Sequence, residues 1–149
     1  MVSWNSEGSL IPTAAGGRVE NEVEFRVVAK LENLAVVRTL IGAVGTFEDL
    51  DMDTVADLRL AVDEACTRLI RSAVPGSTLI VVVRPQDDDV VIDASTTCTS
   101  PDIMAPGSFS WHVLSSLMDD VTTFQNGEAL DEGAVFGISM TTRRASSLR

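Results

Sequence analysis

Residues 57–72 read Asp57-Leu-Arg-Leu-Ala-Val-Asp-Glu-Ala-Cys-Thr-Arg-Leu-Ile-Arg-Ser72. At 100° per residue, Val55, Leu58, Ala61, Val62, Ala65, Leu69 and Ala73 share one broad apolar arc, and Asp57, Glu64, Arg68 and Arg71 share the opposite side. The stretch predicts a long amphipathic helix, with Asp53 as its N-cap and Pro75-Gly76 as its stop. Glu64 and Arg68 stand four apart, acid before base, which by itself reads as a surface ion pair.

Upstream, residues 1–20 are rich in Ser, Gly and Asn without a period, and read as a loose tail in which Trp4 is the odd residue. Val23 to Ala29 alternates as a strand with Val23, Phe25 and Val27 on one face. Leu34 to Phe47 reads as a helix with Val37, Leu40, Ile41 and Val44 inward. Its other side carries Arg38, Gly42 and Gly45. Glycine costs a helix interior about 0.5–1 kcal/mol against alanine, so two of them imply close approach, either by a partner or by a neighbouring helix of the same domain.

Downstream, Thr78 to Arg84 is β-branched, Pro85 to Asp89 is a polar turn, and Val90 to Ala94 completes a hairpin. Ser95 to Gly107 shows no period and contains Pro101, Pro106 and Gly107, which predicts a long loop. Asp93 then ends a strand just before it. Ser110 to Met118 reads as a short helix, with Trp111, Leu114 and Leu117 inward and His112 within it. Val121 to Gln125 is a strand, Asn126-Gly127 a turn, Ala134 to Thr142 the last strand, and Arg143 onward a basic tail. This order predicts a two-layer α/β sandwich: a mixed, mostly antiparallel sheet with helices on one face.

The chain has 149 residues, enough for one domain with a substantial core, and 45% of them are hydrophobic. The net charge is −11, which disfavours direct nucleic-acid binding and suits either a basic protein partner or solubility. There is no charged-then-apolar leader and no run of membrane-spanning length, so a cytoplasmic location is expected. Two cysteines and one histidine without ligand spacing offer no metal site. Placed in the long loop, Cys98 would be a possible point of redox control, although nothing around it lowers a thiol pKa. Gly107 beside Ser108 and Ser110 is a weak anion-binding signal. No P-loop, dinucleotide fingerprint or Ser-His-acid set is present.

Leu58-Arg-Leu-Ala-Val-Asp-Glu-Ala-Cys-Thr67, followed by Leu114-Ser-Ser-Leu-Met-Asp-Asp-Val121, resembles the bacterial anti-sigma-factor serine kinases of the RsbW type, in their anti-sigma-F branch. These belong to the GHKL (Bergerat-fold) ATPase superfamily. The resemblance covers about residues 22–144, and the domain is placed at 21–144 with a C-terminal tail at 145–149. It implies an anti-sigma factor that sequesters an alternative, sigma-F-type sigma factor, works as a homodimer, and is released by an anti-anti-sigma partner of the STAS type. The alternative it implies is an active ATP- and magnesium-dependent kinase acting on a serine of that partner.

Position by position, the resemblance makes Glu64 the general base and Asp93 the aspartate that reads the adenine amino group. Arg38 falls where the family's first helix has an arginine serving both protein partners, beside Gly42 and Gly45. Arg68 stands where the family has a magnesium-holding asparagine. A guanidinium has donors only and cannot ligate a cation. It can pair with Glu64 or place its own charge near phosphate. Ser95, Thr97, Ser108 and Ser110 replace the glycines of the two glycine boxes, so side chains stand where backbone would approach nucleotide. Binding of protein partners is accordingly expected to be better preserved than catalysis.

Overall fold

The computed structural model describes residues 3–4, 10–11, 22–99, 105, 107–130 and 133–145. Most of the tail assigned to residues 1–20, the side chain of Trp4, and Pro101 and Pro106 lie outside the described residues. Ser3–Trp4 (β1) and Leu10–Ile11 (β2) pair as a short antiparallel ladder, which the unpatterned sequence there does not suggest.

The body consists of β3 (Val23–Val28), α1 (Leu34–Phe47), α2 (Met52–Ser72), β4 (Thr78–Pro85), β5 (Asp89–Cys98), α3 (Phe109–Leu117), β6 (Asp120–Leu130) and β7 (Gly133–Arg143). The sheet order is β3-β4-β5-β7-β6, and every neighbouring pair is antiparallel. The α/β sandwich read from the sequence is the one observed, without a parallel pair.

Register builds the core. Val83, Ile92, Met140 and Val121 align across four strands, and all four side chains are buried. Alternation puts these residues on one face of the pleat, and α2 packs against that face. Phe25 and Val27 join the cluster from β3, while Val23 stays exposed. Beyond the arc seen in the sequence, Cys66 and Ile70 are buried as well. The reason is that α2 is covered on several sides, by the sheet, α1 and α3.

Several boundaries differ from expectation. The cap of α2 is Asp51, whose carboxylate accepts the Thr54 amide at 2.7 Å; Asp53 sits inside the first turn. The strand β5 does not stop at Ala94 but runs to Cys98. Thr96 and Cys98 point inward there, and the Thr96 hydroxyl donates to Thr78 O at 2.8 Å, so this buried hydroxyl is satisfied within the sheet. Asn126 and Gly127 are not a turn; β6 continues to Leu130 through a register irregularity between Asn126 and Leu130. Leu40 is exposed, and its inward place is taken by Gly45.

Arg143 ends β7, and Arg144 is a staple rather than the start of a tail. Its guanidinium donates to Glu48 Oε1 and Glu48 O, both at 2.8 Å, and to Gln86 O at 2.9 Å. It thereby ties the α1–α2 turn to the β4–β5 hairpin.

Candidate functional site

The residues singled out in the sequence fall in three separate places. The first lies between α2 and α3. Ser110, in the opening turn of α3, is buried, and its hydroxyl donates to Glu64 Oε1 at 2.6 Å. Ser110 Oγ also accepts from Arg68 Nε at 2.5 Å, while Arg68 Nε and Glu64 Oε1 are 3.6 Å apart. Glu64 and Arg68 thus form more than an isolated surface pair, because a buried hydroxyl from another helix fixes both. Counting along the chain placed Ser110 at a lost glycine but gave no sign of this bridge. The bond spans 46 residues, and only tertiary structure creates it.

Gly107 precedes this helix with a φ of +86°, a left-handed conformation that glycine adopts without strain. The Ser108 hydroxyl then caps α3 by accepting the Trp111 amide at 3.2 Å. That cap uses one of the amide donors an anion would otherwise find there.

The second place is the sheet face away from the helices. Asp93 lies in the middle of β5, not at its end, between the buried inward residues Ile92 and Ala94. Its carboxylate therefore projects on the outer face, where Arg84 of β4 pairs with it through Asp93 Oδ2. The other oxygen, Oδ1, is buried with no hydrogen-bond partner. The fold does not bring Asp93 to Glu64.

The third place is a groove between α1 and α2. Two adjoining hollows of about 690 and 360 Å³ share Arg38 and Arg59. Phe47 and Leu60 flank them and are 75% and 59% exposed, which places apolar surface beside the two guanidiniums. Arg38 Nε lies 3.0 Å from Asp63 Oδ1, yet that oxygen has no hydrogen-bond partner, so the contact is ionic only. Arg59, Leu60 and Asp63 occupy a third face of α2, between its apolar arc and its acidic edge. A two-sided reading of the helix passes over that face.

The two glycines of α1 are both explained by α2. A side chain at Gly45 would press on Val55, with its Cβ 3.1 Å from Val55 Cγ2. Gly45 is buried and takes no part in an outward strip. Gly42 forms the groove floor, over which the Arg59 stem passes 3.4 Å from where a Cβ would stand.

Neither thiol is placed for redox control. Cys98 sits in β5 rather than a loop, and both cysteines are buried. Burial pushes the Cys66 thiol up to about 12 and the Cys98 thiol up to about 11, away from the reactive thiolate. Among the described residues, no helix is long and apolar enough to cross a membrane.

Comparison with known proteins fits this architecture. Residues 27–132 match the family model described as the histidine kinase-like ATPase domain. The chain is 61% identical over 140 residues to the anti-sigma-F factor RsbW of Mycobacterium tuberculosis (strain CDC 1551 / Oshkosh), covering 93% of this chain and 83% of the relative. It is 25% identical over 125 residues to the serine-protein kinase RsbW of Bacillus velezensis (strain DSM 23117 / BGSC 10A6 / LMG 26770 / FZB42), covering 70% and 78% respectively. On its sheet, its helices and these matches, the chain belongs to the histidine kinase-like ATPase domain family, as a homologue of the RsbW anti-sigma-F factors.

Proposed function

We propose that this chain is an anti-sigma factor that grips a sigma-F-type sigma factor on the α1–α2 surface around Arg38. The supporting observation is the groove itself: two guanidiniums, Arg38 and Arg59, beside exposed Phe47 and Leu60. Aromatic side chains and arginine are enriched in protein interfaces, and Phe47 beside two arginines has that composition. Arg38 is about half-exposed in its pair with Asp63, so its guanidinium remains open to a partner's carboxylate. The overall charge of −11 complements the basic, DNA-facing surface of a sigma factor and speeds encounter. The name of the 61% identical relative points the same way. In this reading the chain works in the cytoplasm as a homodimer and yields its sigma factor to a STAS-type anti-anti-sigma protein.

The domain family and the kinase name of the 25% and 23% identical relatives support a nucleotide site along α2, with Glu64 at its edge. The residues present do not fit magnesium. Where a ligating oxygen would be needed, Arg68 offers donors only, and Glu64 Oε1 is already engaged by Ser110. Among the described residues, no three His, Cys, Asp or Glu side chains gather into a metal site. Asp93, paired with Arg84 on the outer face, is not presented to a ligand beside Glu64. Partner binding is therefore the leading reading, and kinase turnover the lesser one.

Mixing the purified chain with a sigma-F-type sigma factor tests the proposal. Co-elution on size exclusion, weakened at least tenfold in affinity by Arg38→Ala without a change in melting temperature, is the expected result. Separate elution of the two wild-type proteins would overturn it.

A further inference from the structure

Resting on the nucleotide reading above, we infer that phosphate charge at the α2–α3 site is met by the fixed guanidinium of Arg68 and not by a divalent cation. Ser110 is the part that makes this possible. Its buried hydroxyl accepts from Arg68 Nε and donates to Glu64 Oε1, so one oxygen sets the position of both charged groups. Nε is consumed by that bond. Among the described residues nothing pairs with the terminal nitrogens of Arg68, whose side chain is 41% exposed. A planar guanidinium anchored at Nε presents its remaining N–H groups as a fork, the geometry that binds phosphate oxygens in pairs.

The same geometry works against a metal. A divalent ion at this place would meet a like charge that cannot move away without breaking the Ser110 bond. It would also find Glu64 Oε1 already carrying a hydrogen bond. An arginine at this position therefore supplies a built-in charge in place of a bound one. Binding of the free polyanion needs no metal, and complexation of the polyanion with magnesium removes part of the charge that Arg68 attracts. The expected signature is a nucleotide affinity that magnesium leaves unchanged or lowers.

Calorimetric titration of the full chain with ATP, once in EDTA and once in excess magnesium, tests this. The wild-type chain is expected to bind in EDTA at least as tightly as in magnesium. Arg68→Asn is expected to lose about tenfold in EDTA, roughly the worth of one charge-assisted contact, and to regain affinity in magnesium. Arg68→Lys, which keeps the charge but not the fork, is expected to stay indifferent to magnesium. It also serves as the comparison should Arg68→Asn not fold. Wild-type binding that appears only with magnesium would overturn the inference and leave the nucleotide reading standing. Absence of binding in every arm would overturn the nucleotide reading, and the inference with it.

Discussion

The Ser110 hydroxyl stands 2.6 Å from Glu64 Oε1, so α3 reaches across to the polar edge of α2 and fixes a carboxylate there. The contact is structural as well as chemical. Ser110→Ala removes a hydrogen bond to a charged group, and the buried site admits no replacement by bulk water. Because Glu64 and Arg68 are partly exposed, the cost is set at about 1 kcal/mol rather than the upper end of the range. Urea unfolding should show a lower midpoint at unchanged slope. An unchanged midpoint would mean that the bridge is not formed in solution.

Arg144→Ala should cost more, about 2–3 kcal/mol, because it leaves the largely buried Glu48 carboxylate without its partner. Glu48→Gln removes the same charge pair yet keeps an acceptor for Arg144, and its loss should be smaller. Thermal unfolding of the two variants ranks them. Melting temperatures equal to that of the wild-type chain would show that the staple is dispensable.

Two glycines with positive φ should respond differently to alanine. Gly133 has a φ of +103°, and a Cβ there would overlap the carbonyl oxygen of Cys98. Gly76, with a φ of +83°, faces open space within 4 Å. Gly76→Ala carries only the left-handed strain of about 1–2 kcal/mol, whereas Gly133→Ala adds a steric clash with backbone. Denaturation midpoints should fall in that order, and a reversal would place the β6–β7 end differently from the structure.

The buried thiols give the stability a definite alkaline slope. Cys66 is raised from 9.0 to about 12 in the folded chain, so between those values the unfolded state loses a proton that the folded state keeps. The unfolded form then binds fewer protons, and stability must decline as pH rises. It is fully present below pH 9.0 and is progressively lost toward the folded value of about 12, with Cys98 acting in the same sense up to about 11. Chemical denaturation across this range should show the decline, reduced in Cys66→Ala. Fast labelling of both thiols in the native chain at neutral pH would contradict their burial.

The sequence carried the fold because its signals are periodic. Leu34 to Phe47 is bounded correctly by its apolar spacing, and the arc of α2 locates the body of that helix but not its cap, which is Asp51 rather than Asp53. What it did not carry depends on neighbours. Ser95 to Cys98 looks like loop by composition, and becomes strand because Thr96 finds Thr78 O and Cys98 finds the core. Asp93 matched a motif in one dimension, but the two-residue repeat of a strand decides which face it serves, and Arg84 claims it there. The spacing of Gly42 and Gly45 announced a close approach, and only the packed structure shows that Arg59 and Val55 of α2 make it. Ser110 stands out in the sequence only as a replaced glycine and Arg59 not at all, since each acquires its role from a neighbouring helix.

Hydrogen exchange of the chain with and without a sigma-F-type sigma factor maps the surface that the sigma factor covers. New protection is expected on α1 and the first half of α2, residues 34–60, and is expected to be lost in Arg38→Glu. Protection centred instead on the outer face of β4 and β5, with α1 unaffected and Arg38→Glu still protected, would contradict that placement.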